Sequence, residues 1–209
     1  MRKFYFSMLI LVSFIACKSN NRFITVENNT VKNDEPISPN NQKLVASLEA
    51  QTKQTKSYNP AYVTLDYPNG DVDISTGVCA DVIVRAFRNA GIDLQKEIHE
   101  DMKKSFSAYP NKWNLTAPDK NIDHRRVPNL MTFFERKGKA KTITNYPDDY
   151  NVGDIVAWKL DNGLLHIGMI CDEKNEENIP VVIHNIGSGT KKANVLFSWQ
   201  IIGHYRWFE

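Results

Sequence analysis

Cys79, His166 and His184 are the residues whose types could together carry out covalent chemistry. A thiol becomes a nucleophile when an adjacent imidazole takes its proton, and that imidazole works best when a third polar group orients it. Cys79 opens a run in which Val82, Ile83, Ala86, Phe87 and Ala90 recur at helical spacing. This predicts an amphipathic helix with Ser75 or Thr76 as its N-cap and Gly91 as its stop. In the first turn the backbone N–H groups are unpaired and the helix dipole favours an anion, which lowers a thiol pKa. Cys79 is therefore expected to be the most reactive thiol and to alkylate well below pH 8. The plainer reading stands beside it, because Cys79 also lies on the apolar face and a free cysteine packs as a small hydrophobe.

His166 lies within Leu164–Ile170, where alternation puts it on the face of Gly168 and Ile170. His184 lies within Val181–Ile186, a strand expected to pair with the first. One histidine in a strand is commonly a satisfied core residue. Two on neighbouring strands, downstream of a helix-capping cysteine, match the nucleophile, base and orienter arrangement.

Several elements must position these residues. Leu44, Val45, Leu48 and Ala50 predict a helix over 43–55, followed by a Tyr-, Pro- and Gly-rich loop to Thr76. After the Cys79 helix comes a long segment, 92–150, containing a second helix over 127–136. From Gly153 the pattern changes to period two. Strands over 154–160 and 164–171 flank Asn162-Gly163, a strong hairpin signal, and two more strands are expected over 180–186 and 198–207. Helices first and an antiparallel sheet after them define an α+β fold.

The 209 residues suit one main domain with an appendage. Apolar residues at 42%, charged residues at 24% and a mean hydropathy of −0.43 exclude collagen, coiled coil and wholesale disorder. A net charge of +2 lacks the basic excess that phosphate-backbone binding requires, so no nucleic-acid partner is expected. No metal or organic cofactor is expected. Asp119-x-Asn121-x-Asp123 starts like a calcium loop, but His124 stands where glycine is needed and Leu130 where glutamate is needed. Cys171 reads as packing.

The N-terminus reads as an address. Arg2 and Lys3 precede an uncharged, mainly apolar run from Phe4 to Ala16, too short for the hydrocarbon core of a bilayer and suited to a signal peptide over 1–16. Phe14-Ile15-Ala16-Cys17 resembles a bacterial lipobox, in which the cysteine is lipidated. Residues 17–42, with seven Asn and no apolar periodicity, read as a flexible tether to a domain over 43–209.

Tyr67-Pro68-x-Gly70-Asp71-Val72, Gly77-Val78-Cys79-x-Asp81-Val82, Asn121-Ile122-Asp123-His124-Arg125-Arg126-Val127-Pro128-Asn129-Leu130, Gly153-Asp154-Ile155-Val156, His166-Ile167-Gly168 and Ile183-His184-Asn185-Ile186-Gly187 resemble the bacterial domain of unknown function 1287. That family in turn resembles the NlpC/P60, papain-like cysteine peptidases. The resemblance implies N-terminal helices packed on an antiparallel sheet, with Cys79 as nucleophile, His166 as base and His184, rather than Asn185, as orienter. Candidates for substrate contact are Tyr67, Asp81, Arg125, Arg126 and Asn185, with His204 as a further polar residue to place. Two departures stand out. NlpC/P60 proteins usually read Asp-Cys-Ser-Gly where this chain has Val78-Cys79-Ala80-Asp81, and their cysteine-to-histidine segment is shorter.

The implied protein is a monomeric envelope lipoprotein, exported to face the periplasm and touching the membrane through its lipid only. It would hydrolyse an amide or peptide bond in peptidoglycan stem peptides. The alternatives are a non-catalytic cell-wall-binding module and an acyltransferase using the same Cys-His site. If the address is read correctly, mass spectrometry of the native protein will find acyl chains on Cys17. An unmodified soluble form starting elsewhere would overturn it.

Overall fold

The computed structural model describes residues 37–209 and Met1, so the signal segment, Cys17 and most of the tether lie outside the described residues. Helix α1 (Pro39–Gln54) starts at Pro39 rather than Lys43 because Ser38 caps it. The Ser38 hydroxyl accepts from the Asn41 N–H at 3.3 Å, and Pro39 fills a first-turn position that needs no donor. Strands β1 (Ser57–Tyr58) and β2 (Thr76–Gly77) form a short parallel ladder, so the two ends of the loop expected between them are joined.

Helix α2 (Cys79–Asn89) is buried from Cys79 through Phe87 and stops before Gly91, which sits at φ +85°. Its cap differs from the expected Ser75 or Thr76. Val78 precedes the helix and has no capping side chain, so Asp81 reaches back and its Oδ2 accepts from the Val78 N–H at 2.7 Å. Two arginines on α2 organise the chain that leads into Cys79. Arg85 donates to both carboxylate oxygens of Asp71 at 2.9 and 3.0 Å and to the Thr76 carbonyl at 3.0 Å, while Arg88 donates to the Gly70 carbonyl at 3.1 Å.

Helix α3 (Leu94–Ser105) was not expected from the sequence. Its apolar stripe is only Leu94, Ile98 and Met102, set among charged residues, and its cap is Asp93, which accepts from the Gln95 N–H. Helix α4 (Val127–Arg136) lies where its periodicity put it.

Strands β3 (Ile155–Lys159), β4 (Leu165–Lys174), β5 (Pro180–Asn185), β6 (Thr190–Ala193) and β7 (Gln200–Tyr205) form one antiparallel sheet in the order β6-β5-β4-β3-β7. The Asn162-Gly163 turn joins β3 to β4, with Gly163 at φ +80°. β6, the unexpected strand, is a Thr-Lys-Lys-Ala edge whose polarity hides it from an apolar pattern and discourages pairing with other chains. One face of the sheet presents Ile155, Ala157, Ile167, Met169 and Ile183 to a core shared with the helices. The opposite face presents Val156, Trp158, Ile170 and Val182 to a smaller cluster with Tyr150 and Leu196.

Because neighbours in a strand point to opposite faces, His166 lies away from Ile167, beside its β3 partner Trp158. Gly168 is on the same face as His166, and there a Cβ would come within 2.7 Å of Val182 Cγ1 and 3.1 Å of His184 Cβ. The glycine of the His-x-Gly sequence thus makes the space that lets His184 cross towards His166. Gly168→Ala is expected to destabilise the fold by about 1–3 kcal/mol through overpacking, read as a lower denaturation midpoint with an unchanged m-value.

Candidate active site

Cys79, the first residue of α2, is 4% exposed and opens on a cleft of about 350 Å³ whose wall includes Tyr58, Trp113, Arg126, Leu164 and Leu165. The N–H of Ile167 faces the sulfur, so the thiol adjoins β4 at the residue next to His166. His166 Nε2 lies 2.7 Å from His184 Nδ1, which makes His184 the partner of the imidazole. If His166 Nε2 carries the proton of that bond, His166 Nδ1 is left as the basic nitrogen. Trp158 stacks on His166 at 5.9 Å between ring centroids, and Trp199 stands edge-on to both imidazoles. The pair is thereby shielded from water, with His166 and His184 both buried.

The thiol's own burial in the core between α2 and the sheet reverses the electrostatic expectation for it. Burial pushes the Cys79 pKa up to about 11, and the nearby Asp81 charge adds to the rise. The N–H groups of Ile167, Ala80 and Cys79 pull the other way without overcoming it. The helix N-terminus thus acts as expected in sign but is outweighed by desolvation. Burial also lowers His166 to about 3 and His184 to about 4, in the first case with help from the other ring. At rest the thiol and both imidazoles are neutral, and the sulfur has no hydrogen bond to either ring.

Asp81 and Arg125, expected at the substrate, are engaged with each other. Arg125 Nε and Nη2 donate to the two Asp81 oxygens at 2.9 and 3.0 Å, with both side chains buried, and Nη1 donates to the Ala61 carbonyl at 3.1 Å. Arg125 still touches the cleft wall, but its donors hold the chain around Asn59–Ala61. Asn185 faces the other way from His184, and its Nδ2 donates to the Ser57 and Gly77 carbonyls, fastening β1 and β2 to the sheet. Tyr67 is committed to α3, donating to Glu100 at 3.0 Å and meeting the His99 ring edge-on. Arg126 differs from its neighbour. It stacks on Trp113 at 3.9 Å and reaches the buried Asp123 at 3.3 Å while lining the cleft.

His204 is held by Asp154 at 2.7 Å, by the Thr142 carbonyl at 3.1 Å and by stacking on Tyr150. The buried Asp154 also takes two hydrogen bonds from Arg206 at 2.7 Å. Cys171 is buried and donates its S–H to the Val181 carbonyl, in keeping with packing. Among the described residues, Glu49, Cys171 and Asp172 form one cluster with metal-ligand spacing, apart from the cleft residues.

Sequence reasoning missed Tyr58, Trp113 and Trp199. Tyr58 adjoins the thiol, and burial, followed by the charges of Cys79 and Asp81, raises its hydroxyl to about 12. Its place depends on the β1–β2 ladder, which carries no local apolar signal.

These features describe an α+β protein in which a cysteine at the start of a helix meets the central strands of an antiparallel sheet that also carries a hydrogen-bonded pair of histidines. The chain belongs to the family described as domain of unknown function DUF1287, whose model matches residues 45–207. A relative from Escherichia coli (strain K12), the uncharacterized protein YijF, is 52% identical over 168 residues, covering 80% of this chain and 82% of its own. Among solved structures, that of NlpC1 from Trichomonas vaginalis is similar over 84% of this chain, at 12% identity and a TM-score of 0.45. This chain spans about half, 47%, of that one.

The buried imidazoles give a pH dependence. A histidine whose folded pKa is depressed contributes its full stability above the unfolded value of about 6.5 and loses it as pH falls. His166, His184 and His124, the last lowered by burial to about 4, all act in this sense. Asp123, raised by burial to about 6, opposes them. The urea midpoint is expected to fall from pH 7 to pH 4.5, and His184→Asn should flatten that fall. Alkylation of Cys79 by iodoacetamide should remain slow at pH 8 and climb towards pH 11, unlike an ordinary thiol of pKa about 8.5.

Proposed function

We propose that this protein is a cysteine hydrolase that cleaves an amide or peptide bond, with peptidoglycan stem peptides as its substrate. One observation carries the reading: a cysteine at a helix N-terminus adjoins the strand of a histidine whose Nε2 is 2.7 Å from a second histidine. In this reading Cys79 Sγ attacks the carbonyl carbon as its proton passes to His166, whose ring must first reach the sulfur from the sheet face opposite Ile167, and His184 Nδ1 accepts from His166 Nε2–H. Burial penalises a lone thiolate and a lone imidazolium, but an ion pair formed in contact supplies each with its counter-charge. The Cys79 N–H, free at the helix start, stabilises the developing oxyanion. His166 then gives its proton to the leaving amine and activates water to release the acid.

The wall of Tyr58, Trp113 and Leu164 offers apolar surface to the substrate on either side of the scissile bond. We further propose that the protein is exported and anchored in the envelope by lipid on Cys17. The signal-like run and the Ala16-Cys17 junction support this. Among the described residues no helix is long and apolar enough to cross a membrane.

A second reading is favoured by the neutral resting site, which suits a non-catalytic binding module that uses the same cleft. Incubation with muropeptides, followed by mass spectrometry, separates the two. Hydrolysis should appear with the parent protein and vanish in Cys79→Ala. His166→Ala should cost about 10²- to 10⁴-fold. His184→Ala should cost far more activity per folded molecule than Asn185→Ala. Binding without turnover would establish the module, and transfer of the acyl group to an added amine would indicate a transferase.

A further inference from the structure

Beside the cleft lies a second pocket of about 260 Å³, built by the segment between Cys79 and the sheet. Its apolar wall includes Phe106 and Tyr109, and its polar residues include Asp123, Arg126 and Asn129 beside Ser107 and Asn111. Arg126 and Trp113 line both the pocket and the cleft, so the two spaces share a wall.

The polar groups are only partly used. Asn129 is 1% exposed, and its Nδ2 donates to the Asp123 carbonyl at 3.1 Å, but its Oδ1 has no hydrogen-bond partner. A buried amide oxygen left unpaired costs about 1–3 kcal/mol, which a ligand N–H would relieve. Asp123 Oδ2 is taken by the Asp119 N–H, but Oδ1 accepts only from Arg126 Nη1 at 3.3 Å, a long bond that leaves that oxygen room for a further donor. Arg126 is held flat on Trp113, and the contacts of its guanidinium within the chain leave donors for an anion. Acceptors and donors therefore stand side by side against an apolar wall.

We propose that this pocket binds an amino-acid head, an ammonium beside a carboxylate, borne on a short apolar arm. The ammonium meets Asn129 Oδ1 and Asp123, the carboxylate meets Arg126, and the arm lies along Phe106 and Tyr109. An ammonium alone would leave Arg126 unmatched, and a carboxylate alone would face Asp123 and the bare Asn129 oxygen. The head can arrive as a free amino acid or at the end of a substrate side chain that extends from the cleft. Only the second source rests on the hydrolase reading.

The test is calorimetric titration of the full chain carrying Cys79→Ala, so that it does not depend on turnover. Leucine should bind saturably, and 3-methylbutylamine and 4-methylpentanoate, each lacking half the head, should bind at least about tenfold more weakly. Asn129→Leu should weaken leucine by a similar factor. Should that variant fold poorly, the exposed-wall variant Trp113→Ala, which frees Arg126, should do the same at an unchanged melting temperature. N-acetyl-lanthionine amide, with one head blocked and one free, should bind more tightly than leucine if the head comes from a substrate side chain, and no more tightly if free amino acids are the ligand. Equal binding of leucine and either half-head probe, or no binding of any probe, would overturn the proposal. Failure of the parent protein to hydrolyse muropeptides would leave this result untouched.

Discussion

The buried carboxylate of Asp81 is the interaction on which the site depends. One of its oxygens accepts the Val78 N–H and so starts α2 at Cys79, while both take the Arg125 guanidinium. Arg125 in turn holds the Asn59 and Ala61 carbonyls, which follow directly on the strand that carries Tyr58. Helix start, inserted segment and cleft wall therefore meet at one ion pair. Such a pair need not add net stability relative to a well-packed apolar substitute, but removing one partner leaves an uncompensated buried charge, at a cost of about 3–5 kcal/mol. Its use here is to fix geometry, since three segments far apart in the chain are tied together through a single ion pair.

Dryness is the second constraint. Trp158 and Trp199 close over the histidines, and α2 buries the thiol against the sheet. Burial on each face of the sheet orders these groups and keeps them neutral, because no charge is favoured there singly. A helix N-terminus lowers a thiol pKa where solvent or a cation shares the load. At Cys79 the loss of hydration is larger than the pull of three N–H groups.

The segment between Cys79 and the sheet does more than connect them. It supplies α3, α4, Arg125 at the scaffold and Arg126 at the cleft. The two adjacent arginines have separate tasks because Arg125 ends a 3-10 turn whose inward side chain meets Asp81, whereas Arg126 turns out onto Trp113.

Much was legible in the sequence because it depends on local period and local turns. The α2 and α4 stripes, the Asn162-Gly163 hairpin and the period-two strands each express a repeat within a few residues, and they set the α+β class. The pairing of His166 with His184 was also legible, since strand alternation and strand adjacency put the two histidines together. What stayed hidden was non-local or polar. α3 has a narrow stripe among charges, β6 is a lysine-bearing edge, and Tyr58 is delivered by a two-residue ladder. Only the tertiary structure decided that Asp81 and Arg125 neutralise each other, that Asn185 ties down β1 and β2, and that Cys79 rests as a thiol. Those outcomes are set by burial and by partners dozens of residues away, quantities that a linear pattern of residue types does not contain.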